Sequence, residues 1–232
     1  MIVGDYFHGL ADLAQLMSSH YQLHNIALGE TNGDKQEDLD PNWIELDFRN
    51  FHDFTIEFME FEPDILIYLS PYIRKSRAEI NPEPADISNR EFIEHIREVS
   101  YIQNTHVIVL MPNLHENDEL DFPVWHKTIT AGIECISGSG RYTIISIPEI
   151  LDSSPEGLVS WLNDQDPLTF TNLLGDLETL RVQKLAEEIS EVISSPIFGS
   201  YTINGTKLSK EDLQFIKSPL HQTDSDFSHL LN

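Results

Sequence analysis

The sequence predicts an α/β protein in which a doubly wound parallel sheet carries helices on both faces. Two observations lead to this fold class. Short apolar runs alternate with amphipathic helical segments, which is typical of right-handed βαβ units. The two longest apolar runs, residues 65–69 and 107–111, fit strands that are buried on both faces and are too short to cross a membrane.

Seven strands and seven helices are predicted along the chain. The strands are apolar runs, in order at residues 2–3, 23–28, 43–48, 65–69, 107–111, 142–147 and 200–203. The helices have apolar residues three or four positions apart, at residues 9–20, from Phe51 to before Pro63, and at 86–103, 124–136, 155–162, 181–193 and 209–216. A turn at Gly4, a polar loop at residues 29–41 and an acidic loop at residues 116–121 connect some of these elements.

Individual elements carry further signals. The second helix is marked by five apolar side chains, Phe51, Phe54, Ile56, Phe58 and Met59. The third helix has Asp86 or Ser88 as its N-cap, and the glycines and serines of residues 137–140 close the fourth. The fifth strand should lie at the centre of the sheet if the strand order is Rossmann-like.

The charge of the chain excludes one class of partner. With 39 acidic and 14 basic residues, the net charge of −25 repels phosphate backbones and anionic lipid. We therefore expect no nucleic acid and no membrane partner. The acidity fits plain solubility, adaptation to high salt, or a surface that meets a basic protein. The start of the chain lacks the pattern of a secretory signal, so we expect a cytoplasmic protein.

The stretch after the fourth strand resembles the matching stretch of dTDP-4-dehydrorhamnose reductases, which are extended short-chain dehydrogenases. It carries, at the family's spacings, Tyr72, Ala78, Glu79, Pro82, Ala85 and Asn89. Other pieces resemble the family in the same order, at residues 47–48, 141–145, 184–186, 199–201 and 208–211. The resemblance implies a Rossmann-like domain at residues 1–150 and a substrate-type lobe at residues 151–220, which is shorter than in the family. The polar tail, residues 221–232, is expected to be disordered.

The family binds NAD(P) on a glycine-rich turn after the first strand, where the backbone approaches the pyrophosphate. Here Gly4 and Gly9 stand in the places of the turning and packing glycines, but bulky Tyr6 or Phe7 replaces the middle one. Asp5 adds a negative charge where a pyrophosphate would lie against a helix N-terminus. We therefore expect no cofactor, with NAD(P) as the alternative.

Further cofactor-binding positions follow from the resemblance. They are Asp47, Ser70 and Tyr72. Glu30, just past the second strand, could accept a hydrogen bond from a ribose hydroxyl, or be a solvated loop acid. For a metal, His20 and His24 have a suitable spacing, but no third ligand is evident, so no metal site is predicted.

The family's reductases protonate substrate with a tyrosine that is tuned by a lysine four residues later. None of the seven tyrosines has a lysine at that spacing, and the fifth strand ends in Asn113 without a hydroxyl residue. Alignment on Glu134 puts His126 and Thr130 in place of the tyrosine and lysine. Only Asn89 keeps a residue type that functions in the family, so the catalytic residues are predicted to be absent, with His126 and Asn89 as the remaining candidates.

The sequence thus predicts a non-catalytic relative that binds a protein partner, with a basic protein as one candidate, as a regulatory or scaffold subunit. The alternatives are a sensor of NAD(P) or a nucleotide sugar, with a pocket near Ser70, Tyr72 and Asn113, and a divergent NAD(P)-dependent reductase or epimerase. A homodimer could form through the helices at residues 86–103 and 124–136, as it often does in the family. Their apolar residues Phe92, Ile93, Ile96, Ile129 and Ile133 fit burial against the sheet equally well.

Overall fold

The computed structural model describes residues 1–5, 8–29, 41–47, 50–69, 84–113, 123–137, 140–151 and 178–207. In these ranges the strands are β1 (Ile2–Asp5), β2 (Asn25–Gly29), β3 (Trp43–Asp47), β4 (Ile65–Leu69), β5 (His106–Pro112), β6 (Tyr142–Ile147), β7 (Glu149–Leu151), β8 (Glu178–Arg181), β9 (Gly199–Thr202) and β10 (Thr206–Lys207). The helices are α1 (His8–Ser18), α2 (Phe51–Phe61), α3 (Pro84–Gln103), α4 (Pro123–Ser137) and α5 (Val182–Ser194).

Seven parallel strands form the large sheet in the order β3-β2-β1-β4-β5-β6-β9. The predicted Rossmann-like, doubly wound fold is confirmed, because the strand order runs outward in both directions from the β1–β4 pair. The prediction that residues 107–111 lie at the centre is wrong by one position. Since β9 extends the sheet beyond β6, β4 takes the middle place and β5 lies beside it.

Two apolar cores lie on opposite faces of this sheet. Neighbouring strand residues point to opposite faces, so Ile2 packs in one core and Val3 in the other. Helices α1 and α5 cover the first face, where Leu13 and Leu185 belong to the same cluster. Helices α2, α3 and α4 cover the second. The aromatic side chains concentrate there, among them Phe54, Phe58, Tyr68 and Phe92.

Three details of the helices differ from the sequence prediction. In α2, Phe54 and Phe58 are buried, but Ile56 and Met59 are 40% and 42% exposed. A helix presents residues three or four apart on one face, and Ile56 lies off the face that Phe54 and Phe58 share. Helix α3 begins at Pro84, which suits a first helical position, so Asp86 and Ser88 lie inside the first turns and neither is the N-cap.

The apolar residues considered for a dimer interface are used by the chain itself. Phe92, Ile93 and Ile96 are each 1% exposed or less, within the core beneath α3. Ile133 is partly buried against the same core. The side chain of Ile129 lies outside the described part. These residues therefore pack against the sheet, and homodimerisation stays a prediction.

The sequence did not predict a second, three-stranded sheet in the order β10-β8-β7. Its strands are two to four residues long and have no recognisable alternation. The predicted helix at residues 181–193 is confirmed as α5, and the predicted strand at 200–203 corresponds to β9. The predicted helices at 155–162 and 209–216 and the polar tail lie outside the described residues.

In the part of the chain that the structure describes, no helix has both the length and the apolar character that are needed to span a bilayer.

Candidate functional site

A crevice is expected at the carboxyl edge of the large sheet, where β1 and β4 meet. Helix α1 follows β1 onto one face, and α3 lies after β4 on the other, so the chain departs in opposite directions from this point. In open α/β sheets, ligands bind outside the carboxyl ends of the strands at such a reversal. The ends of β3 and β5 bring Asp47 and Asn113 to the same edge.

The sequence predicted a turn at Gly4, and this prediction is wrong. Gly4 lies inside β1, where it pairs with Ala27 of β2 and with Leu69 of β4. A Cβ atom at Gly4 would lie 2.9 Å from the Cβ atom of Leu69 and 3.0 Å from its carbonyl oxygen. The glycine is therefore required for the close approach of β4.

Gly9 is the second residue of α1, and only residues 6 and 7 separate β1 from this helix. The sequence therefore keeps two of the three glycines of the family pattern, and one of them, Gly4, is used for packing against Leu69.

Asp47 ends β3 directly beside Gly29, the last residue of β2. Its carbonyl oxygen accepts a hydrogen bond of 2.8 Å from the backbone N–H of Asn50, just before α2. Asp47 is partly exposed at this carboxyl edge of the sheet.

Two buried polar atoms, one at this edge and one within α4, have no hydrogen-bond partner in the structure. One is Oδ1 of Asn113, the first residue after β5, whose backbone N–H donates to the carbonyl oxygen of Ile147 at 2.9 Å. The other is Oγ1 of Thr130 in α4. An unsatisfied buried polar atom costs about 1–3 kcal/mol, so such atoms are candidates for contacts with a ligand.

The remaining predicted site residues are placed only in part. Asn89 lies in α3, and His126 lies in α4, one helical turn before Thr130, but the side chains of Asn89 and His126 are not described. Glu30, Ser70 and Tyr72 lie outside the described residues.

Tyr201, a described tyrosine with a shifted pKa, is unsuited to proton donation at neutral pH. Burial, with Glu188 and Glu191 nearby, raises the pKa of Tyr201 to about 12. A catalytic tyrosine acid needs the opposite shift.

A second cleft, which sequence reasoning missed, lies at the opposite, amino-terminal edge of the sheet. Its volume is about 410 Å³. The starts of β4, β5 and β6 and the ends of α2, α3 and α5 contribute to it. No sequence motif indicates this cleft, because its lining residues come from six separate elements.

His106, only 2% exposed, lines this second cleft and is held by a hydrogen-bonded chain. Its Nε2 atom lies 2.8 Å from Oγ1 of Thr143, and that hydroxyl donates to the carbonyl oxygen of Ile197 at 2.6 Å. Since the hydroxyl proton is used on Ile197, His106 donates through Nε2–H, and its Nδ1 atom carries a free lone pair when the ring is neutral. Burial, helped by the Arg141 charge, lowers the pKa of His106 and favours this neutral form.

Among the residues with described positions, no group of three or more histidine, cysteine, aspartate or glutamate side chains is arranged to hold a metal ion. His24 instead contacts a carboxylate, with Nε2 at 2.9 Å from Oε2 of Glu57, and its ring stacks on Phe61.

Comparison with known proteins gives structural neighbours but no relative in sequence. No family model and no curated protein matches the chain. A hypothetical dTDP-4-dehydrorhamnose reductase from Sulfolobus tokodaii is similar at 16% identity, with a TM-score of 0.63 over 93% of this chain and 81% of that one. The UDP-glucose 4-epimerase of Thermus thermophilus, in complex with NAD, is similar at 12% identity, with a TM-score of 0.62 over 93% of this chain and 82% of that one.

A third neighbour is the dTDP-4-dehydrorhamnose reductase of Bacillus anthracis in complex with NADP, at 16% identity, with a TM-score of 0.58 over 84% of this chain and 80% of that one. At such identities the likeness shows the fold alone. The protein therefore shares the fold of dTDP-4-dehydrorhamnose reductases and related epimerases, as the sequence resemblance predicted.

Proposed function

We propose that this protein binds a nucleotide ligand, either a nucleotide sugar or a nicotinamide dinucleotide, at the carboxyl edge of the large sheet. The strand order carries the proposal, because it reverses between β1 and β4 in the manner of nucleotide-binding α/β proteins. The solved neighbours with NAD and NADP lend this alternative more weight than the partner-binding role that the sequence predicted first.

The unpartnered atoms of Asn113 and Thr130 support a ligand that offers hydrogen bonds in this region. Asn113 Oδ1 is an acceptor and Thr130 Oγ1 can donate or accept. A sugar hydroxyl or a carboxamide could satisfy either atom. The middle glycine of the family pattern is missing from the sequence, so a dinucleotide would bind without the complete glycine cradle.

The proposed role is binding without the tyrosine–lysine chemistry of the family. No tyrosine in the sequence is followed by lysine four residues later, so the usual proton donor is missing. Such a protein would report or sequester its ligand and would not convert it.

Titration of the purified protein with NADH, NADPH and UDP-glucose, followed by nicotinamide fluorescence and calorimetry, tests the proposal. We expect one ligand to bind with a dissociation constant in the micromolar range. Asn113→Ala should weaken that binding about five- to tenfold through loss of one hydrogen bond.

Asn25→Ala is the matched control, because Asn25 also carries a buried Oδ1 atom without a partner but lies at the amino-terminal end of β2. It should bind the ligand as the wild type does. Failure of all three ligands to bind at millimolar concentration would overturn the proposal and leave the partner-binding role as the remaining function.

A divergent reductase or epimerase is the second candidate, and the position of His126 favours it. His126 lies in the helix after β5, one turn before Thr130, and histidine is a residue type that titrates near neutral pH. Oxidation of NADPH by a keto sugar nucleotide that is abolished by His126→Ala would establish this candidate. Absence of oxidation despite binding would support the binding role.

A further inference from the structure

The cleft at the amino-terminal edge of the large sheet is rich in hydrogen-bond acceptors. Glu62 and Asp64 line it and are exposed, and neither forms an ion pair with a basic side chain in the part of the chain that the structure describes. This wall therefore suits a ligand that donates hydrogen bonds.

Three helix ends increase the negative potential of the same cleft. Glu62 is the C-cap of α2, Gln103 is the last residue of α3, and Ile193 lies in the last turn of α5. The carboxyl end of a helix carries a partial negative charge, which a lysine or arginine in the last turn usually offsets. None of these three helices has a basic residue in its last turn.

Arg141 is the one lysine or arginine among the described lining residues, and it is already engaged. Its Nη1 atom donates to the carbonyl oxygen of Asn104 at 2.8 Å, just past the end of α3. Arg141 keeps its positive charge, but its guanidinium is held on this carbonyl and does not pair with Glu62 or Asp64, so both carboxylates stay available to a ligand.

Exposed apolar side chains border the cleft. Seven large apolar side chains are exposed in the described part of the chain. Five of them lie in segments that end at the cleft or that flank its lining residues. We call these five residues the apolar rim, namely Met59, Tyr101, Ile102, Ile197 and Phe198.

Two contacts join members of the apolar rim to the lining of the cleft. The ring of Phe198 lies 5.2 Å from that of His106, and the side-chain amide of Gln103 donates to the sulfur of Met59 at 3.1 Å. Tyr101 and Ile102 are 78% and 73% exposed, an unusual exposure for apolar side chains in a helix that packs on a sheet.

We propose that this cleft binds a lysine or arginine side chain of a protein partner, while the apolar rim packs against aliphatic or aromatic side chains beside it. The exposed carboxylates of Glu62 and Asp64 supply the acceptors for the cationic group. The net charge of −25 attracts a basic partner over a longer range and repels nucleic acid. This surface is distinct from the proposed nucleotide site and does not depend on it.

An organic cation fits the cleft better than a metal ion. Calcium needs six to eight oxygen ligands, and only two carboxylates of the described chain line the cleft. A guanidinium or ammonium group needs fewer acceptors, and the apolar stem of its side chain can lie along the rim.

Fluorescence anisotropy with short labelled peptides tests the proposal. The probe peptide alternates arginine with leucine and phenylalanine, and its matched peptide has the neutral isostere citrulline in place of arginine. The wild-type protein should bind the first peptide and bind the second at least about tenfold more weakly. Added salt should weaken the first interaction, because exposed charges are screened.

Variants separate this site from general attraction to an acidic protein. Glu62→Gln combined with Asp64→Asn should weaken binding about tenfold, and Phe198→Ser about fivefold. Glu91→Gln is the charge control. Glu91 lies in α3 about 18 Å from the carboxyl end of the helix, a distance at which salt screens its interaction with a charge in the cleft. Leu16→Ser is the apolar control, because its helix contributes no described residue to the lining.

A photo-crosslinking phenylalanine analogue in the probe peptide gives a readout that needs no variant. Crosslinks should map to the segments at residues 101–104 and 196–198. The proposal fails if the wild-type protein does not bind the peptide at millimolar concentration, if Glu91→Gln weakens binding as much as the double variant, or if crosslinks map elsewhere. Self-association that Phe198→Ser abolishes would instead assign the apolar rim to a second copy of this chain.

Discussion

Replacing Gly4 with alanine should destabilise the protein by about 2 kcal/mol, because the new methyl group would overpack the junction of β1 and β4. The added Cβ atom would lie 2.9 Å from the Cβ atom of Leu69, whereas ordinary contacts begin at 3.4 Å. The two strands would have to separate by about 0.5 Å, across a ladder of three paired positions, to relieve the contact. Neither Leu69 atom is the end of a flexible side chain, so rotation of a side chain cannot relieve it.

Thermal and urea unfolding measure this effect. For a chain of this size, about 2 kcal/mol corresponds to a fall in Tm of about 4–8 °C. The slope of the urea transition should not change, because the surface that unfolding exposes stays the same.

Gly132→Ala is the matched control for this substitution. Its added Cβ atom would lie 3.2 Å from the Cε atom of Met111 and 3.3 Å from the Cδ1 atom of Ile93, and both of these atoms are terminal methyl groups that can move. Alanine also gains about 1 kcal/mol over glycine within a helix. Gly132→Ala should therefore change stability by less than about 1 kcal/mol. A Gly4→Ala variant as stable as the wild type, or less affected than Gly132→Ala, would refute the reasoning.

Two further predictions concern the buried chain at His106. Burial and the Arg141 charge lower the pKa of His106, so the folded state favours its neutral form. The stability that this neutral form contributes is present above pH 6.5, the ordinary pKa of histidine, and is lost as the pH falls through the pKa of His106 in the folded state. The pKa of His95 is also lowered, mainly by burial, so His95 contributes a further loss of stability as the pH falls. His106→Gln should therefore reduce, but not abolish, the loss of Tm between pH 7 and pH 5. An unchanged pH profile would contradict this assignment. Thr143→Val should cost about 1–3 kcal/mol in urea unfolding, because it leaves the His106 N–H and the Ile197 carbonyl unpaired; a neutral result would show that the chain of bonds does not stabilise the fold.

The strands of the large sheet could be predicted from sequence because each is a local apolar run. Residues 65–69 form a strand of five largely buried residues, and the structure places β4 at the same residues. The small sheet could not be predicted, since β10 is two residues long and is defined by pairing with β8, about 27 residues earlier in the chain. Its signal is nonlocal, and no periodicity in either segment reveals it.

The candidate sites show the same difference between local and nonlocal information. The glycine motif pointed to a turn at Gly4, but the contact that requires glycine comes from Leu69, 65 residues away. The unpartnered Asn113 atom depends on what surrounds the end of β5, which one sequence does not state. The sequence alone shows that lysine and arginine are absent from the carboxyl ends of α2, α3 and α5. Only the structure shows that these three ends meet at one cleft.

The described connections between the small sheet and its neighbouring elements are very short. Pro148 alone separates β6 from β7, and α5 begins at the residue after β8. Gly205, between β9 and β10, is so close to its surroundings that a Cβ atom there would lie 2.9 Å from Pro148, Glu178 and Thr179. Among the described connections, none has a loop long enough to absorb a large change in backbone angle. We therefore expect the two sheets to move together, so that closure around a ligand does not arise from rotation of one sheet against the other.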